Sequence, residues 1–380
     1  MKKIATITFH AAHNYGSNLQ AFALQEFILK LAKLHNCEIE YEILNLRTDI
    51  QRELYSLEKK NNSLKGVCKN ILSLPYKKQL REKYFKFEDF INTKLRVSNI
   101  IYNSENELEK ISKEFDYYIS GSDQVWNIRS KDFSWANLLD FCKSGRKISY
   151  AASFGPLKID WEKYDKEKFK NLLNQYTHIS VREEGSNENI KKLIGKDALI
   201  HVDPTMLLSK EEWVNLLDLK KIKNKKYILF YSLEPNEEMI KLVKKVSKIL
   251  NLPIVVTKYN NKFDYLNSFK KEYSTGPIDF LELIYNAELV LSSSFHGTVF
   301  SILFNKNFYA INGMDDNRIN TLLKSLKLEM RSISLNNIEE KCLKAFDVDF
   351  SDANKRIDEE RSNSKLYLTK VLDFSGENNG

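Results

Sequence analysis

Along the chain, short apolar runs alternate with longer stretches in which apolar residues return every three or four places. The first kind predicts buried strands and the second amphipathic helices. Ile4 to Phe9 predicts a first strand, and Leu19, Phe22, Ala23 and Phe27 fall on successive turns of a helix from Asn18 to about Leu34. Strands are predicted at Glu38 to Leu46, Tyr117 to Ser120, Lys147 to Ser153, His178 to Val181 and Leu199 to Val202. Helices are predicted near Lys166 to Leu173 and Asn187 to Leu193. The pattern resets after Pro204. A linker helix at Lys210 to Leu219 leads to strands at Tyr227 to Leu233, Pro253 to Thr257, Leu289 to Leu291 and Phe308 to Ile311. Between and after them, helices are predicted at Glu237 to Leu250, Asp279 to Asn286, beyond Gly297, and at Asn317 to Leu326. Regular alternation with short loops predicts an α/β chain with two doubly wound, Rossmann-like parallel sheets. The expected domains are residues 1–205 and 206–350, with a C-terminal helix and tail, 351–380, packing back on the first.

The size agrees with that division, because 380 residues exceed what one core usually holds. Four cysteines, Cys37, Cys68, Cys142 and Cys342, lie far apart without CxxC spacing, which points to neither a zinc site nor a disulfide framework. Lys2 and Lys3 precede an apolar stretch too short and too polar for a signal-peptide core, and no run approaches the ~18 apolar residues of a membrane span. A cytoplasmic protein is expected.

The net charge of +8 is concentrated. Between Arg52 and Arg96 stand twelve Lys/Arg against five Asp/Glu, interleaved with Tyr55, Tyr76, Tyr84, Phe85, Phe87 and Phe90. Leu80, Tyr84, Phe87, Ile91 and Leu95 follow helical steps, so a basic helical insert at about 50–97 is predicted on the first domain. Its outer face is either a solvated helix surface or a contact for lipid headgroups or a lipid-linked phosphorylated glycan, at the inner face of the membrane. No nucleic-acid module pattern is present.

The chemistry centres on Leu289 to Phe304, where an apolar run stops at Ser292, Ser293 and Ser294 and restarts as a helix around His296 and Gly297. A strand that ends in a polar loop and opens a helix offers backbone N–H groups and a positive dipole end to an anion. Gly297 would let that anion approach closely, and His296 can hydrogen-bond it or act as an acid; a core histidine bonded to a carbonyl is the alternative. A second βα turn, His10 to Asn18, holds Asn14, Gly16 and Ser17. His10 and His13 are three apart, but no carboxylate or cysteine stands at suitable spacing, so no metal site is expected.

Gly121-Ser122-Asp123-Gln124-Val125-Trp126-Asn127, Ile179-Ser-Val-Arg182-Glu183, Val202-Asp203-Pro204 and Ser294-Phe295-His296-Gly297, in this order, resemble the polysaccharide pyruvyl transferase family. Asn14-Tyr15-Gly16-Ser17-Asn18-Leu19-Gln20 is similar to the start of many members. The resemblance implies a GT-B-like fold, two Rossmann-like domains facing a cleft. It also implies transfer of a pyruvyl group from phosphoenolpyruvate to a sugar of a cell-surface polysaccharide or its lipid-linked precursor, as a ketal, with no further cofactor. On this reading His296 is the acid and Asp123 a base for the sugar hydroxyl, or a helix cap. Arg182, with Ser293, Ser294, Gly297 and Thr298, would bind the donor, because a bidentate arginine suits phosphate and carboxylate. Asn14, Gly16, Ser17, Gln124 and Trp126 would line the acceptor, with Trp126 either stacking on sugar or sitting in the core. In many members an arginine precedes the histidine by two; here Ser294 stands there. Two rivals remain: a GT-B glycosyltransferase using a nucleotide sugar, with Glu282 or Glu288 for the ribose, and a non-catalytic glycan-binding relative.

Overall fold

The computed structural model describes residues 1–57, 71, 73–222, 226–258, 268–337 and 348–374. Cys68, Cys342 and much of the middle of the basic segment lie outside these residues. The chain divides into two compact units, the first Met1–Tyr55, Ile91–Leu208 and Arg356–Gly380, the second Ser56–Phe90 and Ser209–Lys355.

In the first unit β1 (Lys2–Ile7) leads to α1 (Tyr15–Leu34), β2 (Ile39–Leu46) and α2 (Asp49–Tyr55). Helix α3 (Lys77–Lys94) belongs to this unit only at its end. β3 (Val97–Tyr102), β4 (Tyr117–Ser120), β5 (Arg146–Ser149), α4 (Lys166–Leu173), β6 (Ser180–Val181), α5 (Glu184–Ile194) and β7 (Leu199–Ile200) follow. The sheet is parallel in the order β3-β2-β1-β4-β5, and single bridges, Ile148 to His178 and Ala152 to Val181, carry it on to the β6–β7 pair. Strand β4 is buried throughout. Trp126, Phe154, Phe169 and Tyr176 help fill the core beside it.

The second unit holds α6 (Lys210–Leu217), β8 (Ile228–Tyr231), α7 (Glu237–Leu250), β9 (Ile254–Val256), β10 (Lys270–Lys271) and α8 (Pro277–Asn286). Then come β11 (Leu289–Ser292), α9 (Phe295–Leu303), β12 (Phe308–Ile311), α10 (Asn317–Ser325) and β13 (Ser332–Ile333). The sheet is parallel in the order β10-β9-β8-β11-β12-β13, the same winding as in the first unit. Helix starts follow local chemistry: Ser209 and Glu212 form a capping box at α6, and the Asn236 side chain caps α7 by accepting from Met239 N. The last helix, α11 (Ser351–Val371), is held on the first unit from Arg356 onward: the Tyr367 hydroxyl donates to Ser149 O at 2.9 Å and Lys2 Nζ to Leu372 O at 2.8 Å.

Three strands were not expected: β3, β10 and β13. Each is an edge strand with one side unpaired; β10 and β13 are only two residues long, and β3 breaks its apolar residues with Ser98 and Asn99 and leaves Ile100 and Ile101 exposed. The basic segment also differs from expectation, because its residues 56–90 group with the second unit rather than the first. Its side chains show why. Lys86 Nζ lies 3.0 Å from Asp279 Oδ2, and Lys271 Nζ donates to the Tyr76 hydroxyl at 2.9 Å. The Tyr76 ring sits edge-on to Tyr273, and a Cβ on Gly276 would come within 2.6 Å of Lys86 Cβ, so α3 can lie on the start of α8 only because residue 276 has no side chain.

Candidate active site

Parallel strands bring their following loops to one edge, and a doubly wound sheet opens a crevice where the strand order turns. In the first unit that point lies between β1 and β4. Asn14 caps α1 there, its side-chain oxygen accepting from Gly16 N at 3.0 Å and Ser17 N at 3.5 Å, so Asn14 and Gly16 build the helix start. From β4 the chain enters Gly121-Ser122-Asp123, and Asp123 takes φ +74°, a left-handed conformation that aspartate tolerates better than most residues. Its carboxylate receives two hydrogen bonds: Ser17 Oγ donates to Oδ2 at 2.6 Å and Gln124 N to Oδ1 at 2.8 Å.

Arg182 leaves β6 into the same group. Its Nη1 is 2.8 Å from Asp203 Oδ2 and 3.9 Å from Asp123 Oδ1, and its Nε is 3.3 Å from Glu183 Oε2. Glu183 is held by Ser153 Oγ at 2.7 Å and by the Ser186 hydroxyl. Asp203 uses its other oxygen to cap the turn at Pro204, accepting from Thr205 N at 3.0 Å and Thr205 Oγ1 at 2.7 Å. The Arg182 side chain is only 2% exposed. Burial alone would lower its pKa, but Asp203, Glu183 and Asp123 outweigh burial and hold it above the ordinary guanidinium value. One cation therefore faces three carboxylates. That is an environment for fixing Asp123, and it differs from the expected one, in which Arg182 meets an incoming phosphate. The Gln124 side-chain oxygen accepts from Asn127 Nδ2 at 3.0 Å. Trp126 is a core residue: it is wholly buried, donates from Nε1 to Ser120 Oγ at 3.0 Å and Asn137 O at 3.2 Å, and packs edge-on against Phe154 and Tyr176. It is not placed to stack on a sugar.

In the second unit the order turns between β8 and β11, and the two following loops meet through Ser293 Oγ, which donates to Ser232 Oγ at 2.7 Å. Ser294 takes the N-cap position of α9 without capping it, and its hydroxyl meets that of Tyr231. His296 lies in the first turn with its ring edge-on to Phe295. Two expected ligands have other roles. A Cβ on Gly297 would fall 2.3 Å from Ser292 Oγ and 3.1 Å from Tyr231 Cδ1, so the glycine lets α9 pack on the end of β11. Thr298, fully buried, turns its hydroxyl back to Ser294 O at 3.1 Å. Ser293, Ser294 and His296 remain at the edge where an anion would meet the helix start.

Sequence spacing gave no sign that Asp123 and Asp203 converge on Arg182 and its neighbour Glu183, or that Lys83 leaves the outer face of the basic helix. Lys83 Nζ donates to Thr257 O at 3.2 Å, beyond β9, and burial followed by the neighbouring Lys258 lowers its pKa to about 7. His10 is buried, 3.2 Å from Asn45 Oδ1 and 3.3 Å from Thr8 O. Among the described residues no group of three His, Cys, Asp or Glu side chains is placed to hold a metal ion, and no helix is long and apolar enough to cross a membrane.

Among the solved structures similar to this chain are UDP-GlcNAc 2-epimerases. That of Neisseria meningitidis bound to UDP-GlcNAc gives a TM-score of 0.55 at 13% identity, covering 98% of this chain and 100% of that one. That of Methanocaldococcus jannaschii in complex with UDP-GlcNAc and UDP gives 0.52 at 14%, over 98% and 100%, and that of Rickettsia bellii 0.51 at 11%, over 100% and 99%. At such identities the likeness is one of fold, and it makes the chain an α/β protein of the GT-B class. The model of the polysaccharide pyruvyl transferase family matches residues 14–315, and the chain belongs to that family. Its class of activity is pyruvyl transfer to polysaccharide. A search of curated proteins finds no match.

Proposed function

We propose that the protein takes its pyruvyl group from phosphoenolpyruvate and closes a cyclic ketal on two hydroxyls of a sugar in a cell-surface polysaccharide or its lipid-linked precursor. The sugar oxygen attacks C2 of the enol while the methylene carbon gains a proton. Phosphate then leaves C2, and the second hydroxyl bonds to the same carbon as it loses its proton. One hydroxyl proton ends on the new methyl group and the other leaves with phosphate, so no oxidant, reductant or further cofactor is required.

The observation that carries the reading is the Ser17–Asp123 contact of 2.6 Å, a buried carboxylate already accepting from a hydroxyl at the first unit's switch point. Asp123 is the base on this reading, and Ser17 and Gln124 are its neighbours on the acceptor side. Arg182 is a positioning residue, which revises its expected role as a donor ligand. Ser293, Ser294, His296 and the start of α9 bind the donor's anionic groups, with His296 supplying the proton. The nucleotide-sugar reading has less support. Glu288 precedes β11 and Glu282 accepts from Lys220 N at 3.0 Å, far from the strand ends where a ribose would sit.

The test is phosphate release from phosphoenolpyruvate with a sugar diol present, alongside a thermal-shift panel of phosphoenolpyruvate against uridine and guanosine diphosphate sugars. Phosphoenolpyruvate at a hundred times its Kd should add about 2.7 kcal/mol of stability. His296→Asn should retain most of that shift and lose turnover. A shift with nucleotide sugars and none with phosphoenolpyruvate would sink the proposal.

A further inference from the structure

In the second unit the loops after β11 and β12 leave side by side, because Ser292 pairs with Ala310 near the ends of the two strands. The second of these loops carries Asp316 and Arg318 to the start of α10, which packs on α9. Asp316 caps α10, its Oδ1 accepting from Arg318 N at 2.9 Å. It also grips the guanidinium along one edge, Nε donating to Oδ1 at 3.0 Å and Nη2 to Oδ2 at 2.6 Å. The Arg318 side chain is 13% exposed, and its Cζ lies 6.0 Å from the centre of the Phe295 ring. His296 meets that same ring edge-on at 5.2 Å, so one aromatic side chain joins the guanidinium to the imidazole. Capping does not require the arginine. The Asp316 carboxylate does that alone, and a cation in the first turn meets the positive end of the helix dipole, which disfavours it. The outer edge of the guanidinium, Nη1 with the second Nη2 proton, has no hydrogen-bond partner among the described residues. Asp315, the next carboxylate, is exposed. The Arg318–Asp316 pair is neutral as a whole, so what it offers is two parallel N–H groups of fixed direction, beside two helix starts that favour an anion.

We propose that the outer edge of Arg318 binds the carboxylate of phosphoenolpyruvate as a bidentate pair, while Ser293, Ser294 and the start of α9 take its phosphate. The inference rests on the donor reading above and adds to it the residue that distinguishes an enolpyruvyl donor from other phosphate esters. Either anionic group fits a guanidinium edge, and the helix start decides between them. Hydroxyls and backbone N–H groups at the first turn of α9 suit the several oxygens of a tetrahedral phosphate, which leaves the planar carboxylate for the arginine. Asp316 is then the positioning residue that holds the guanidinium in one orientation.

The experiment is calorimetric titration of the full chain with phosphoenolpyruvate and, separately, with inorganic phosphate, alongside thermal melting of each variant without ligand. Arg318→Gln with Asp316→Asn removes both charges, so that neither is left unpaired, and asparagine still caps the helix. This double variant should bind phosphoenolpyruvate about 10–100-fold more weakly than wild type, the range for losing hydrogen bonds to a charged group, and bind inorganic phosphate as wild type does. Arg318→Lys keeps an ion pair with Asp316 and so protects the fold, yet offers no parallel N–H pair; its loss should be of the same order. Equal losses of phosphoenolpyruvate and phosphate binding would put the phosphate on Arg318 and overturn the assignment. Unchanged phosphoenolpyruvate binding in both variants would make Arg318 a structural partner of Asp316 and nothing more, with the donor reading intact. A wild type that ignores phosphoenolpyruvate would overturn the donor reading, and this inference with it.

Discussion

The two switch points share a winding and differ in charge. In the first unit the loops after β1 and β4 meet through a hydroxyl on a carboxylate, Ser17 on Asp123, with Arg182, Glu183 and Asp203 packed behind. In the second the loops after β8 and β11 meet through a hydroxyl on a hydroxyl, Ser293 on Ser232, beside the first turn of α9. The same topology brings loops to the same place and leaves the chemistry to the residues on them. Three carboxylates against one guanidinium make the first place poor for a phosphate, because like charges ~4 Å apart repel by ~4 kcal/mol even at an effective dielectric of 20. It suits a group that must give up a proton. Hydroxyls, a helix dipole and an imidazole make the second place receptive to an anion.

The contrast breaks most readily at Asp123. Asp123→Asn keeps the shape, tolerates the left-handed backbone and can still accept from Ser17, yet cannot take a proton. Turnover is expected to fall about 10²–10⁴-fold, with the thermal shift given by phosphoenolpyruvate unchanged. If the donor shift vanished instead, the anion site would have to be moved to the first unit.

Arg182→Ala comes next and separates positioning from donor binding. Removing the cation leaves three buried carboxylates facing one another, at a cost of about 3–5 kcal/mol in urea denaturation. The guanidinium's folded-state pKa is raised, so its contribution is whole below the ordinary guanidinium value and is lost only above it. No loss of wild-type stability around neutral pH should trace to this group. Arg182→Lys, a point charge in place of a fork that reaches both Asp203 and Glu183, should recover only part of the loss. A fully stable Arg182→Ala that had lost only donor affinity would restore the donor-binding reading.

The legible parts of this chain were those whose signal is local. Buried central strands such as Phe308–Ile311, and α7 with its returning Ile240, Val243 and Val246, are written in short windows, and so is the strand-to-helix joint before His296. Edge strands escaped because Lys270–Lys271 carries no apolar demand. The distant partners of Arg182 escaped for another reason: Asp123 follows β4 and Asp203 follows β7, whereas Arg182 and its neighbour Glu183 leave β6, and no spacing along the chain records that three strands bring them together. The basic segment was misplaced because helical periodicity tells which face is buried and not which unit buries it. Gly276 under Lys86 decides that here.

The smallest expected effect sharpens the comparison from the second unit. Gly297 was expected to admit a ligand to the backbone, whereas its geometry says that it admits Ser292. Gly297→Ala puts a methyl group 2.3 Å from Ser292 Oγ and 3.0 Å from its Cβ, at the end of a buried strand, so something must shift. Overpacking of this kind costs about 1–3 kcal/mol. Ser292→Ala removes the closer of the two atoms, at the cost of the bond in which Ser294 N donates to Ser292 Oγ at 3.0 Å. The double variant should therefore be more stable than the sum of the two single losses predicts, a coupling that a double-mutant cycle in urea resolves. If the glycine served only ligand approach, the two substitutions would be additive, and Gly297→Ala would weaken the response to phosphoenolpyruvate while leaving the stability of the empty protein untouched.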